Sequence, residues 1–289
     1  MSKIVNMAVD LGNYNIKTSE EKMFLSTFTE GMPENPQGED IIIIDDKVYC
    51  MAKESSFDYE FNKNKKNYKP NLFYAIAKSI EKGDDHKINL ILGVPLENFG
   101  VASDFKEDLE GKTFDFNYNN KDIKVTFNNL GVVGEGISSF YTLDPKKRAG
   151  DIMIVDIGGR TINVATFREG KIEHKKQLNK GMIDFYDTVK ERHNSNFGEN
   201  INTEQIYSYI EKDIVKVDHG DELNFMNYAF NQIKKFADVR FYEVYFTGGG
   251  APVLEDTIKE LHPKAKFMEN PLFTNVKGNK AIAEVQWSE

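Results

Sequence analysis

The sequence predicts an α/β protein made of two related halves, and three observations carry that prediction. Three glycine-bearing loops, DLGNYNIK (10–17), DIGGRTIN (156–163) and TGGGA (247–251), stand in order along the 289 residues. Each is entered from an apolar run of strand character: IVNMAV, IMIV and YEVYF. The first two share the form Asp-aliphatic-Gly, with hydrophobic alternation resuming after each. Glycine serves where a backbone turns sharply and brings its N–H groups close to an anion. Two such turns read as phosphate-gripping loops, one from each half, on a single nucleotide. The third loop lets a purine lie flat against the backbone.

The elements follow in chain order. Residues 1 to about 28 read as a strand, the first glycine loop and a returning strand. EGMPENPQGED then breaks the pattern, and IIII, a DD turn and VYCMA predict a small hairpin. In NLFYAIAKSIEKG, Leu72, Phe73, Ile76, Ala77 and Ile80 fall on one helical stripe. INLILGVPL is a buried strand, and TFDFNYNNKDIKVTF alternates with period two on either side of Asn119-Asn120, the pattern of a β-hairpin. VVGEGISSFYTL reads as a strand entering a helix. PKKRAGD (145–151), turn-rich and charged, is the best domain boundary. Beyond it come the strand pair NVATFREGKIEHK, helices around 183–194, 203–212 and 221–238, and the helix PVLEDTIKELHP after the third loop. The tail, FTNVKGNKAIAEVQW, is helix-like and crosses back to the first half.

Composition narrows the function classes. Hydrophobic content of 40% and charged content of 29% are those of a soluble protein long enough to bury a substantial core. No apolar run approaches the ~20 residues of a membrane span, and MSKIVNMAVD enters a strand at once, without a signal peptide or amphipathic leader. The single cysteine, Cys50, excludes an intramolecular disulfide, no Cys/His spacing suggests zinc, and a reduced cytoplasm is the expected location. The net charge of −9 should repel bare DNA. The basic stretch FNKNKKNYK (61–69) reads as a solvated loop, because no aromatic stacking platform accompanies it. Phe57, Tyr59 and Phe61 are either surface contacts or core.

In order and spacing, the three loops resemble the phosphate-1, phosphate-2 and adenosine motifs of the actin, Hsp70 and sugar-kinase superfamily. Within it the chain looks most like the ParM-type (StbA-like) bacterial actins that segregate plasmids. The resemblance runs from Asp10 to about Ala283. It implies an actin-like (ribonuclease H-like) duplicated two-domain ATPase fold with the nucleotide in the inter-domain cleft. Domain I would cover 1–148, with a small insert near 30–68 and 276–289 returning to it. Domain II would cover 149–275, with an insert near 182–236.

The same resemblance assigns the site. Asp10 and Asp156 would organise a Mg²⁺ ion, directly or through its water shell. Leu11, Gly12, Asn13, Tyr14 and Asn15 form one jaw on the phosphates; Gly158, Gly159, Arg160 and Thr161 form the other. Lys17, seven residues after Asp10, matches a phosphate-contacting lysine. Glu135, in GEGISSFY, matches the position where the family sets a Gln or Glu facing the γ-phosphate, as a base or as a water-orienting group. The plainer reading is an exposed glutamate at a helix N-terminus. Gly248, Gly249 and Gly250 would pack on adenine and ribose. Gly181 either approaches the nucleotide or simply starts a helix, and Glu204 or Lys212 would reach the ribose. Arg160 either contacts phosphate or points to a neighbouring subunit. Where many relatives close the second loop with an acid, this chain has Asn163, which cannot bind a cation electrostatically.

The implied function is an ATP hydrolase that polymerises head to tail, with a filament partner of its own kind and a ParR-like adaptor on centromere-like plasmid DNA in a bacterial cytoplasm. GTP is an alternative to ATP, since a glycine loop accepts either purine. A small-molecule kinase of the same superfamily is the alternative enzyme; it would need a substrate pocket for which no segment is spare. Another bacterial or archaeal cytoskeletal actin is the other alternative. Trp287 reads as a packed anchor rather than a membrane foot.

Overall fold

The computed structural model describes residues 4–53, 67–80, 83, 85–94 and 102–288. Phe57, Tyr59, Phe61 and most of the basic stretch 61–69 lie outside them. Two compact units result: Met1–Thr142 with Asn275–Glu289, and Leu143–Thr274. The expected boundary at 148/149 falls instead at 142/143. Asp144 accepts the Lys146 N–H (2.8 Å) and Pro145 presets the first helical φ, so PKKR is a helical turn of the second unit rather than a linker.

The first unit contains β1 (Ile4–Leu11), β2 (Asn15–Thr18), β3 (Met23–Leu25), β4 (Phe28–Glu30), β5 (Ile41–Ile44), β6 (Lys47–Met51), β7 (Asp85–Val94), β8 (Thr113–Tyr118) and β9 (Lys121–Gly134). They form one sheet in the order β3-β2-β1-β7-β9-β8-β5-β6-β4. The expected hairpins are β5–β6 and β8–β9. Their turns place Asp45, Asp46, Asn119 and Asn120 at positive φ, which Asn and Asp tolerate best among residues with a side chain. Helix α1 (Lys69–Ser79) buries Leu72, Phe73 and Ile76 completely, and Phe73 stacks on Phe116 with ring centroids 4.9 Å apart. Helix α2 (Ala102–Leu109) was not expected. It is short and buries only Phe105 and Leu109. After β9 the chain turns through a 3-10 segment, Ser138–Thr142, where a helix was expected.

The second unit opens with α3 (Pro145–Arg148), followed by β10 (Ile152–Ile157), β11 (Ile162–Arg168) and β12 (Lys171–Leu178). Its insert is helical: α4 (Met182–Phe197), α5 (Thr203–Glu211) and α6 (His219–Ile233). Strand β13 (Glu243–Thr247), α7 (Gly250–Val253), α8 (Glu255–Leu261) and β14 (Lys266–Phe267) complete it. The sheet order is β12-β11-β10-β13-β14. All six residues of β10 are buried, as a strand covered on both faces requires. Helix α9 (Thr274–Gln286) returns the chain to the first unit, where Trp287 Cη2 lies 3.4 Å from the Cβ position of Gly131 on β9. The terminal tryptophan is packed.

The duplication is visible in the pairing. In each unit a lead strand pairs antiparallel with the strand after its loop, which pairs antiparallel with the next. On its other side the lead strand runs parallel to a later one, β7 or β13. Both sheets therefore contain the order 3-2-1-4-5, counted from the lead strand.

Candidate functional site

In α/β sheets, ligands bind beyond the carboxyl ends of parallel strands. In the first unit those ends belong to β1, β7 and β9. Asp10 stands opposite Gly93, and Val94 opposite Gly134. Asp10 is 7% exposed and Glu135, next after β9, is 8% exposed. The Glu135 N–H donates to the Val94 carbonyl (2.8 Å), holding it at the strand end. It is not the exposed helix-start glutamate of the plainer reading. Lys17 sits directly opposite Asp10 in the β1–β2 ladder, so the two side chains share a face of the sheet.

The first loop, Gly12 to Tyr14, is anchored from behind. Ser26 donates its N–H to the Tyr14 carbonyl (3.0 Å) and its hydroxyl to the Asn13 carbonyl (2.6 Å). In a planar trans peptide the next N–H points opposite to the carbonyl. The N–H groups of Tyr14 and Asn15 thus face away from Ser26. A Cβ on Gly12 would stand 2.3 Å from the Asn15 carbonyl oxygen, so the turn closes only over glycine.

The second loop repeats the device with different parts. Its Gly158 N–H donates to the Thr161 carbonyl (2.9 Å). The first N–H groups of α4 take its carbonyls: Met182 donates to Gly158 (3.0 Å) and Ile183 to Gly159 (2.8 Å). These helix-start donors lack a partner within their own helix. The Gly159 and Arg160 N–H groups consequently point away from α4. Gly181 precedes α4 and packs on this loop: its Cβ would stand 2.5 Å from the Gly159 oxygen and 2.7 Å from the Arg160 carbonyl carbon. The loop's own backbone accounts for the glycine. Asp184 accepts the Gly181 N–H (2.9 Å), and Arg160 Nη1 lies 3.9 Å from its Oδ1. The Arg160 side chain is 15% exposed, folded along α4.

Asp156, 3% exposed and next to last in β10, stands opposite Asn163 on one side and Thr247 on the other. Asn163 is fully buried and donates to the Thr161 hydroxyl (3.1 Å), so it shapes the loop. Gly248 holds φ +84, and its Cβ would stand 2.3 Å from Asp156 Oδ1. Gly250 is equally enclosed, 2.3 Å from Ile157 Cγ2. Gly249 differs: its Cβ would meet only Leu272 Cδ2, at 3.6 Å. Glu204 lies in the first turn of α5, which is tied to α4 where Lys190 donates to Thr203 (3.1 Å) and Thr203 donates to Asp187. Exposed Lys212 caps the same helix at its other end.

Two residues that sequence reasoning did not single out hold the segment after Glu135. Asn275 Oδ1 accepts from the Gly136 N–H (3.0 Å) and from the hydroxyls of Ser139 (2.7 Å) and Ser138 (3.3 Å). Gly278 brings α9 so close that a Cβ would stand 1.8 Å from the Ser138 oxygen. A glycine inside a helix disfavours that helix, and this was the signal available for a close approach.

Among the described residues, no group of three His, Cys, Asp or Glu side chains could hold a metal, and no helix is long and apolar enough to cross a membrane. Asp10 and Asp156 are each a buried carboxylate beside the glycine loop of its own unit, and a carboxylate is a ligand type that suits a hard divalent cation.

Comparison with known proteins agrees with this geometry. The family model for the N-terminal domain of actin-like proteins matches residues 8–137, and that for the C-terminal domain of archaeal MreB-like actin homologues matches 154–260. No curated protein sequence matches the chain. Among solved structures, the archaeal actin homologue Ta0583 superposes with a TM-score of 0.83 at 18% identity, over 97% of this chain and 99% of that one. The same protein in complex with ADP gives 0.82 at 17%, with the same coverage. A 15-stranded ParM filament from Clostridium botulinum gives 0.83 at 18%, over 99% and 100%. The fold is the two-domain actin-like fold, and the chain belongs to the actin-like proteins.

Proposed function

We propose that this actin-like protein binds ATP with Mg²⁺, hydrolyses it, and assembles head to tail into filaments that move plasmid DNA through a DNA-bound, ParR-like adaptor. One observation carries the reading: the next-to-last residue of each unit's lead strand is a buried aspartate, and the strand is followed by a loop whose carbonyls are anchored behind it. Backbone N–H groups so directed suit phosphate oxygens. Asp10 and Asp156 would hold the cation, which when bound neutralises charge on the phosphates. Lys17 adds a compact positive charge beside Asp10. Gly249 offers its open face to the purine, of ATP or of GTP.

Glu135 supplies the remaining part. A buried carboxylate at the end of a parallel strand can take a proton from water or aim its lone pair. Phosphoryl transfer to water depends mainly on such positioning and electrostatics. That a similar structure holds ADP supports the nucleotide, and that a ParM relative forms filaments supports self-assembly. A head-to-tail contact that does not close generates a helical polymer. The net charge of −9 favours a basic adaptor over direct contact with DNA.

The test is phosphate release from ATP in Mg²⁺. Glu135→Ala is expected to slow the rate by about 10²-fold or more while leaving nucleotide binding intact. Asp156→Ala is expected to lower the Mg²⁺-dependent affinity itself. Unchanged release by Glu135→Ala would remove that residue from the reaction.

A further inference from the structure

Asn279 stands one helical turn beyond Asn275 on α9 and is completely buried. Among the described residues, neither its amide nitrogen nor its amide oxygen has a hydrogen-bond partner. Side-chain amides in protein interiors are nearly always paired, and an exception calls for an explanation. The explanation lies across β7. At the point where a Cβ on Gly93 would stand, Asn279 Nδ2 is 3.5 Å away and Asp10 Oδ1 is 3.7 Å away. Gly93 is the residue directly opposite Asp10 in the β1–β7 ladder. Because Gly93 has no side chain, the amide and the carboxylate face the same small space inside the first unit.

The helix that carries Asn279 is fixed in height. Gly278 lies against the Ser138 carbonyl, and Asn275 clamps the backbone at Gly136 and the hydroxyl of Ser139. One rigid element therefore bears on the segment after Glu135 and on the space behind Asp10.

We propose that Asn279 is a positioning residue for Asp10. When the cation is bound, its amide would hydrogen-bond the Asp10 carboxylate, directly or through one water, and hold the rotamer that turns the carboxylate toward the cation. The assignment rests on the nucleotide reading above. Groups that orient a metal-associated carboxylate in this way typically change metal affinity by about 10–100-fold when removed. An amide buried without a partner contributes nothing to the empty protein, so an apolar side chain of similar size should not weaken it.

The experiment uses the full chain as wild type, Asn279→Leu and Gly93→Ala. Each is titrated with ADP by calorimetry in Mg²⁺ and in EDTA, and each nucleotide-free form is melted. A Cβ at Gly93 makes ordinary contacts of 3.5–3.9 Å, so the alanine should fold while separating the amide from the carboxylate. Both variants are expected to keep the melting temperature and the EDTA affinity, and to lose about tenfold of the gain that Mg²⁺ confers. The double variant should lose no more than either single one. A Mg²⁺ gain equal to wild type in both variants would overturn the assignment. So would a lower melting temperature with both affinities reduced together, which marks a packing role. A wild type that binds no ADP overturns the nucleotide reading and this assignment with it. Wild-type binding with unaltered variants overturns this assignment alone.

Discussion

A Cβ on Gly250 would stand 2.3 Å from Ile157 Cγ2 and 2.7 Å from Met182 Sδ, whereas one on Gly249 would meet only Leu272 at 3.6 Å. Packing thus demands glycine at 250 but not at 249. Gly250→Ala is expected to lose about 1–3 kcal/mol of stability through overpacking, seen as a lower denaturation midpoint. Gly249→Ala should stay within ~0.5 kcal/mol of wild type and weaken nucleotide binding by about tenfold, the effect of ~1.4 kcal/mol of lost contact. Equal effects on stability and binding in both variants would contradict this division. The aspartates and glycines of the loops were legible in the sequence because Asp-aliphatic-Gly after an apolar run is a local pattern. Asn275 and Asn279 were not. Their meaning depends on contacts with residues more than a hundred positions away, and a helical asparagine carries no sign of such a partner.

Three elements of the first unit converge on one carboxylate. Asp40, just before β5, accepts from Tyr74 of α1, from Tyr118 of β8 (2.6 Å) and from Asn119 in the hairpin turn (3.1 Å), with Lys78 at 3.4 Å. Burial pushes the Asp40 carboxyl up, but the hydroxyls of Tyr118 and Tyr74, the Lys78 ammonium and the Asn119 amide outweigh it and hold the group below its ordinary value of 3.8. A carboxyl with a depressed folded-state pKa stabilises the fold above that ordinary value, and the contribution is lost as pH falls through the folded-state pKa. Melting temperature followed from pH 7 down through the acid range should therefore fall less steeply below 3.8 in Asp40→Asn than in wild type. Parallel curves would show that Asp40 contributes no pH dependence. The hairpins that bring these groups together were predictable from Asp45-Asp46 and Asn119-Asn120. Helix α2 was not, since eight residues with two buried apolar side chains give too little periodicity to stand out. The 3-10 segment after Glu135 was read as a helix because its apolar residues are spaced alike in both; what shapes it is the clamp from Asn275.

At the scale of the molecule, the chain leaves the first unit at Thr142 and re-enters it at Asn275. The second unit is continuous, so residues 143–274 alone should unfold cooperatively by circular dichroism. Residues 1–142 alone lack Asn275 and Gly278 and should be markedly less stable. Their melting temperature should rise with added 275–289 peptide, as binding linkage requires. Failure of the peptide to act would mean that α9 is dispensable to the first unit. The two-half organisation was legible from the repeated loops, and the boundary was misplaced by six residues because Asp144-Pro145 starts a helical turn within a charged, turn-like stretch.

Whether nucleotide times self-assembly is read out by pelleting and light scattering with ATP, GTP, ADP or no nucleotide in Mg²⁺, with Glu135→Ala beside the wild type. Polymer that depends on nucleoside triphosphate and persists longer in Glu135→Ala is the predicted result. Bound nucleotide without polymer at any workable concentration would contradict the filament reading and turn attention to a phosphate acceptor.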